Sequence, residues 1–323
     1  MKSSARVFLL AIGLTLMMLT GCTPPQHRGP ITIGVRTAND HVPFYVADRQ
    51  QLYRQRGLDV TVRLVPGNTE IIEALQRGDF QIGAVPVTTA IAAIAQGIPL
   101  HIVAMTGRGS DGLLVRQQDG AADVASLRGK KIATIRASIL DVLLRYTLEQ
   151  AGLDPERDVE LVYMAKLGDL ISALKTYQVD ACSNTEPFMT DAERQGWGRI
   201  LTYYTADWPD HPCCVVVVRD DFARQNPRAL RDILAIHCAA VEWSNEHLDE
   251  TAQVITDYLQ TFDPDMVRNS LDRSRMFIDY HLQTEEIERM AGLMVAQGLI
   301  SSIPPADRLV DLAPLSDVLK NRP

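Results

Sequence analysis

Thr69–Val85 reads TEIIEALQRGDFQIGAV, and 99 positions further on Gly168–Asn184 reads GDLISALKTYQVDACSN. Each stretch sets a short run with helical apolar spacing before an acidic residue and a short apolar strand. The likeness extends outward. Ile31–Arg36 (ITIGVR) and Lys131–Arg136 (KIATIR) both alternate like strands. Each leads into a helical stretch that ends near Gly-Leu-Asp, at Gly57-Leu58-Asp59 and at Gly152-Leu153-Asp154, where glycine suits a left-handed helix cap. A further strand follows in each copy, Val60–Val65 and Val159–Met164, and then the quoted motif. Each half therefore reads strand, helix, strand, helix, strand, which predicts two α/β domains of like topology with helices on both sheet faces.

Two extended runs ending in arginine, Met105–Arg116 and His211–Arg219, lie at the borders of the second copy. If that copy is inserted into the first domain, the chain crosses twice, and these are the natural crossing segments. The boundaries expected are 31–107 plus 218–323 for domain I and 108–217, with hinge segments, for domain II. Downstream the chain is helical. Asn226-Pro227 is a good helix start; Leu230, Ile233, Leu234, Cys238 and Val241 share one face; Leu248–Leu259 and Thr284–Gln297 are further helices.

A chain of 323 residues is longer than one core usually spans, and 46% apolar with 22% charged residues is globular composition. The net charge of −8 and the lack of a basic stripe argue against a nucleic-acid partner. Lys2 and Arg6 precede the apolar run Val7–Leu19, which suits a signal peptide and is short for a membrane span. Leu19-Thr20-Gly21-Cys22 resembles the lipobox of bacterial lipoproteins. That resemblance implies a signal peptide of residues 1–21, lipidation of Cys22 (palmitate among its acyl chains), a tether over 22–30, and an extracytoplasmic chain anchored in the cell envelope.

In open α/β sheets ligands bind at the carboxyl ends of the strands. The two repeated motifs therefore deliver Val85–Thr88 and Asn184–Phe188 to facing walls of one cleft. Several stretches carry a family resemblance. They are His41–Ala47 (HVPFYVA), Arg56–Val60, Arg77-Gly78-Asp79-Phe80, Gly97–Leu100, Leu127–Ala133, Val179–Ala181, Glu186-Pro187-Phe188 and Asn226-Pro227. In this order, over roughly residues 31 to 245, the chain resembles the solute-binding proteins of ABC importers in the nitrate, taurine, aliphatic-sulfonate and thiamine-precursor group.

The resemblance implies a type II periplasmic-binding-protein fold: two domains, each a mixed sheet flanked by helices, with two crossing segments. It also implies capture of a small organic solute for an ABC permease, a monomer, no cofactor and no catalysis. The family pattern places solute contacts at Asn39, Asp40, His41, Phe44 and Tyr45; at Pro86, Val87 and Thr88; at Arg136 and Ser138; and at Asn184, Glu186 and Phe188. Arg136 beside the helix start at Ser138 suits an oxyanion, although Ser138 also reads as a plain N-cap. His41, Tyr45 and Glu186 suit a pyrimidine-like solute, and the balance favours an anionic or zwitterionic one.

Adjacent residues of a strand point to opposite faces, so one of Cys213 and Cys214 is a candidate disulfide partner for Cys182. Cys238 reads as core. The spacing of His211, Cys213 and Cys182 lacks a paired metal-ligand signature, so no metal is expected. Two other functions fit the same cleft: a membrane-tethered solute sensor, and a pyrimidine-synthase-like enzyme carrying pyridoxal phosphate on a lysine. The export signal argues against the enzyme.

Overall fold

The computed structural model describes residues 29–260 and 262–321. The signal segment, the lipobox cysteine Cys22 and most of the tether lie outside the described residues. No helix among the described residues is long and apolar enough to cross a membrane.

The chain starts with β1 (Ile31–Val35), α1 (Val42–Arg49), α2 (Leu52–Gln55), β2 (Val60–Leu64), α3 (Asn68–Arg77), β3 (Ile82–Pro86), α4 (Val87–Ala95) and β4 (Leu100–Gly109). It crosses and forms β5 (Asp111–Arg116), β6 (Lys131–Thr134), α5 (Ile139–Gln150), β7 (Glu160–Tyr163), α6 (Leu167–Lys175), β8 (Ala181–Thr185), α7 (Phe188–Arg194) and β9 (Gly198–Tyr203). It returns through β10 (Pro212–Arg219) into α8 (Asp220–Gln225), α9 (Pro227–Glu246), α10 (Leu248–Leu259), α11 (Pro264–Ser270), β11 (Met276–Phe277), α12 (Thr284–Ala296), α13 (Ala306–Leu309) and α14 (Ala313–Lys320).

Two mixed sheets result, ordered β11-β4-β10-β3-β1-β2 and β7-β6-β8-β5-β9. The repeat in the sequence is a repeat of topology. β1 pairs in parallel with β2 and β3, and β6 pairs in parallel with β7 and β8. The fourth strand of each sheet runs antiparallel and is a crossing segment: β10 against β3, and β5 against β8. This is the α/β architecture of two mixed sheets flanked by helices.

The crossings fall at Ser110 and between β9 and β10. The domain limits read from the sequence differ here, because 108–217 takes in most of β10, which hydrogen-bonds to β3 and β4. The strands that follow α3 and α6 begin at Ile82 and Ala181. Gly78 has φ +91 and caps α3, so the chain turns before it becomes extended.

Alternation along β10 divides the core. Val215 and Val217 face the apolar cluster that runs toward the second lobe, and Val216 and Val218 face the cluster under α1 and α9. The first cluster is continuous from α4 (Val87, Ile91) to α5 (Ile139, Leu143) and α12 (Ile287, Met290), so the lobes are closed on one another. Gln297 Nε2 donates across the closure to the Val142 carbonyl at 3.0 Å.

Candidate functional site

A small cavity of about 20 Å³, room for a single water, lies between the two sheets. The first lobe supplies Arg36 and Ala38 beyond β1, Asp40 in the following turn, Pro86 at the β3–α4 junction, and Cys213 and Cys214 from β10. The second lobe supplies Asp111 from β5, Ile135, Ser138, Ile139 and Leu140 at the entry to α5, Leu167 at the start of α6, and Thr185 at the end of β8. Strand ends and helix starts converge here because both β-α-β-α-β units point their carboxyl edges at the same gap.

Ser110, at the first crossing, ties the two walls together. Its hydroxyl donates to Asp40 Oδ2 at 3.0 Å and lies 2.9 Å from Thr185 Oγ1 and 3.6 Å from Cys213 Sγ. Its amide donates to the Arg275 carbonyl, and its own carbonyl accepts from Glu186 N at 2.9 Å. These bonds hold a left-handed backbone at Ser110, φ +71, which a non-glycine residue adopts only at a cost.

The cavity carries both signs of charge. Arg36 and the N-terminal ends of α4 and α5, entered from Pro86 and Ser138, favour an anionic group. Asp40 and Asp111 face the same space. Burial, and then the Asp111 carboxylate, push Asp40 up to about 7. Asp111 lies 3.4 Å from His211 Nε2, and both residues are buried.

The structure brings Asp40, Pro86 and Ser138 of the expected set to the cavity and places the others elsewhere. Asn39 is buried and donates to Ser270 Oγ. His41 accepts from the Arg36 amide at 3.1 Å, and burial pushes its imidazole down to about 3, so it is a neutral structural acceptor. Phe44 stacks on His237 and Tyr45 on Tyr258, both in the core under α1, so neither supplies an aromatic wall. Val87 and Thr88 are buried within α4. Arg136 is exposed and sits over the Tyr163 ring, 3.9 Å from its centroid. Asn184 donates to the Leu167 carbonyl and accepts from Thr185 N.

Glu186 is fully buried and bonds Thr190 and Tyr203 rather than facing the cavity. Phe188 meets Phe262 edge-on. Ser138 lines the cavity without capping: its hydroxyl donates back to the Ile135 carbonyl at 2.7 Å, and Asp141 accepts from Ala137 N instead.

The expected disulfide does not form. None of the four described cysteines is in a disulfide, and all four are buried. Cys182 lies within the second sheet, paired with Leu114 and Ala133, while Cys213 and Cys214 belong to the first. Nor do the two adjacent cysteines point apart. Register shifts on either side of Cys214 break the alternation of β10, and both side chains line the cavity with their sulfurs 3.6 Å apart.

Reasoning from the sequence missed Arg36, Asp111 and Thr185, and it gave Cys213 and Cys214 to a disulfide rather than to the cavity wall. Arg36 and Asp111 fall at the ends of recognised strands, in the right loops, and were passed over in favour of neighbours.

Similar proteins frame the site. One relative from Bacillus subtilis (strain 168), named for binding aliphatic sulfonates, is 32% identical over 201 residues, covering 61% of this chain and 58% of that one. The periplasmic nitrate-binding protein NrtA of Synechocystis PCC 6803 superposes with a TM-score of 0.81 at 16% identity, over 90% of this chain and 88% of that one. The ligand-binding component of an ABC-type import system from Staphylococcus aureus, solved with zinc bound, superposes at 0.80 with 15% identity, over 90% and 99%. The desulfurization enzyme DSZB also shares the fold, at 0.69 and 17% identity, over 91% and 99%. Such neighbours establish the periplasmic-binding-protein fold expected from the sequence. The NMT1-like family model matches residues 25–259, most of the chain, and the chain belongs to that family.

Proposed function

We propose that the chain is an extracytoplasmic solute-binding lipoprotein, tethered through Cys22, that captures a small zwitterionic organic solute and delivers it to an ABC-type permease. The carrying observation is the pairing, around one interlobe cleft that must widen to admit a solute, of Arg36 and two helix N-termini with Asp40 and Asp111. A solute with an oxyanion at one end and an ammonium at the other satisfies both groups, as an amino sulfonate does. A simple anion leaves two carboxylates facing it, and a flat pyrimidine finds no aromatic side chain in the lining. The relatives named for sulfonate and nitrate binding support the solute class in its anionic half.

The lining includes no lysine among the described residues, so pyridoxal chemistry of the synthase kind has no amine there. Titration calorimetry against taurine, alkanesulfonates, nitrate and pyrimidines tests the reading, with X-ray scattering to follow closure. An amino sulfonate should bind without turnover and compact the protein. Silence across that panel with a folded protein rejects the proposal.

A further inference from the structure

We infer that Asp40, Cys213 and Cys214 form a binding site for one thiophilic divalent cation of the Zn²⁺ class, set in the wall of the cavity. The three side chains come from two segments of the first lobe and are all buried, and their ligand atoms lie within 4.8 Å of one another.

Three observations carry the inference. The first is the spacing of the sulfurs. Two thiolates on a tetrahedral zinc sit about 3.7 Å apart, given Zn–S bonds of roughly 2.3 Å, and Cys213 Sγ and Cys214 Sγ are 3.6 Å apart. The second is the backbone that produces this spacing. In a regular strand the two thiols would face opposite sides of the sheet. Here Pro212 pairs with Arg108 and Cys214 with Gly107, which leaves Cys213 as the extra residue of a bulge and turns both sulfurs to one side. The third is Asp40. Its Oδ2 is held by Ser110, while its Oδ1 is buried without a hydrogen-bond partner among the described residues. Buried polar atoms are normally satisfied, so an orphan carboxylate oxygen next to two thiols is an acceptor awaiting a donor or a metal.

The alternative of a bond between the two sulfurs is disfavoured by covalent geometry. Adjacent α-carbons are about 3.8 Å apart, short of the roughly 4.4–6.8 Å that disulfides span. Charge also fits a cation. A divalent ion on two thiolates and one carboxylate leaves one negative charge, and Arg36, whose guanidinium donates to Asn68 Oδ1 at 2.6 Å, lines the same cavity. Coordination forms two S–metal bonds and one O–metal bond, and the two thiol protons, with the proton of any Asp40 carboxyl that still holds one, leave to solvent. Three protein ligands leave a fourth position open to water or to the anionic end of a bound solute.

The inference shares the cavity with the proposed solute site, but each can fail alone: the cation test is run without any organic solute, and the solute test in chelator. The full chain is titrated with Cd²⁺, whose thiolate charge-transfer absorption reports sulfur ligation, and then with Zn²⁺ in competition. The expected result is one ion per chain with a sulfur band. Cys213→Ser and Cys214→Ser should each weaken binding by more than the roughly 10- to 100-fold typical of outer-shell losses. Cys182→Ser and Cys238→Ser should leave the band in place. Should the serine variants not fold, alkylation of the unaltered chain decides: Cd²⁺ should protect Cys213 and Cys214 from a thiol reagent. No sulfur band, a band that survives in the double serine variant, or equal alkylation with and without Cd²⁺ overturns the inference.

Discussion

Arg275, just before β11 in the first lobe, donates to Thr190 Oγ1 of α7 in the second at 2.6 Å. The same guanidinium lies 3.4 Å from Glu193 and 3.9 Å from Glu186. Together with the edge-on contact of Phe188 and Phe262, it forms a polar latch on the rim of the closed cleft. A half-buried, charge-assisted contact of this kind is worth about 1 kcal/mol. Arg275→Gln should weaken solute affinity roughly fivefold, through closure rather than contact, since Arg275 is not in the cavity wall. Scattering should show a larger radius of gyration for the solute-free variant than for the parent. An unchanged affinity and radius would remove the latch from the account.

The mixed charge of the cavity predicts a signature in two variants. Hydrogen bonds to charged groups contribute about 1.5–3 kcal/mol each. For a zwitterionic solute, Arg36→Ala and Asp111→Asn should therefore each lower affinity roughly 10- to 100-fold. A purely anionic solute would respond to Arg36→Ala alone and bind Asp111→Asn as well or better. Calorimetry on the two variants with one amino sulfonate and one alkanesulfonate separates the cases.

The architecture was legible because burial leaves a periodic trace. The repeated α3–β3 and α6–β8 stretches announced two β-α-β-α-β units, and α10 runs over Leu248–Leu259, the range its spacing predicts. The site was less legible, because a cleft is assembled from the last one or two residues of several strands. Phe44 and Tyr45 sit in the right loop, but α1 begins at Val42 and turns both rings under the sheet. Arg36 and Asp111 end or begin strands, where a single step in register decides which way a side chain faces. The Cys213–Cys214 pair depends on a bulge, and no alternation rule marks a bulge in advance.

Glu186 gives a pH dependence with a definite sign. Burial pushes its carboxyl up from 4.5 to about 7, against the bonds from Tyr203 and Thr190 and the nearby charge of Arg275. Glu193 stands on the far side of that guanidinium. The unfolded chain releases this proton near 4.5, whereas the folded chain keeps it to about 7. The folded state therefore binds more protons across that window, and its stability relative to a neutral side chain falls as pH rises through it. Glu186→Gln should unfold at nearly the parent's temperature, or below it, near pH 5, and gain on the parent as pH rises to 7.5. Thermal unfolding of both proteins across that range checks it; a constant gap between them would show that Glu186 does not titrate there.

Gly107 and Gly168 should respond oppositely to alanine. A Cβ on Gly107 would fall 2.1 Å from Asp40 Oδ1 and 2.8 Å from Asp40 Cβ, inside β4 where the backbone is pinned to β10. The alanine must push Asp40 out of the cavity wall, at a cost of about 1–3 kcal/mol for overpacking. Gly168, exposed in the first turn of α6, meets nothing within 4 Å and carries no left-handed backbone. There alanine removes unfolded-state freedom and should stabilise by roughly 0.4–1 kcal/mol. Denaturant unfolding measures both changes. Gly107→Ala should also lose affinity for any ligand that contacts Asp40, and Gly168→Ala should keep it. Gly107→Ala with parental stability and affinity would mean that Asp40 is not held against β4 as described.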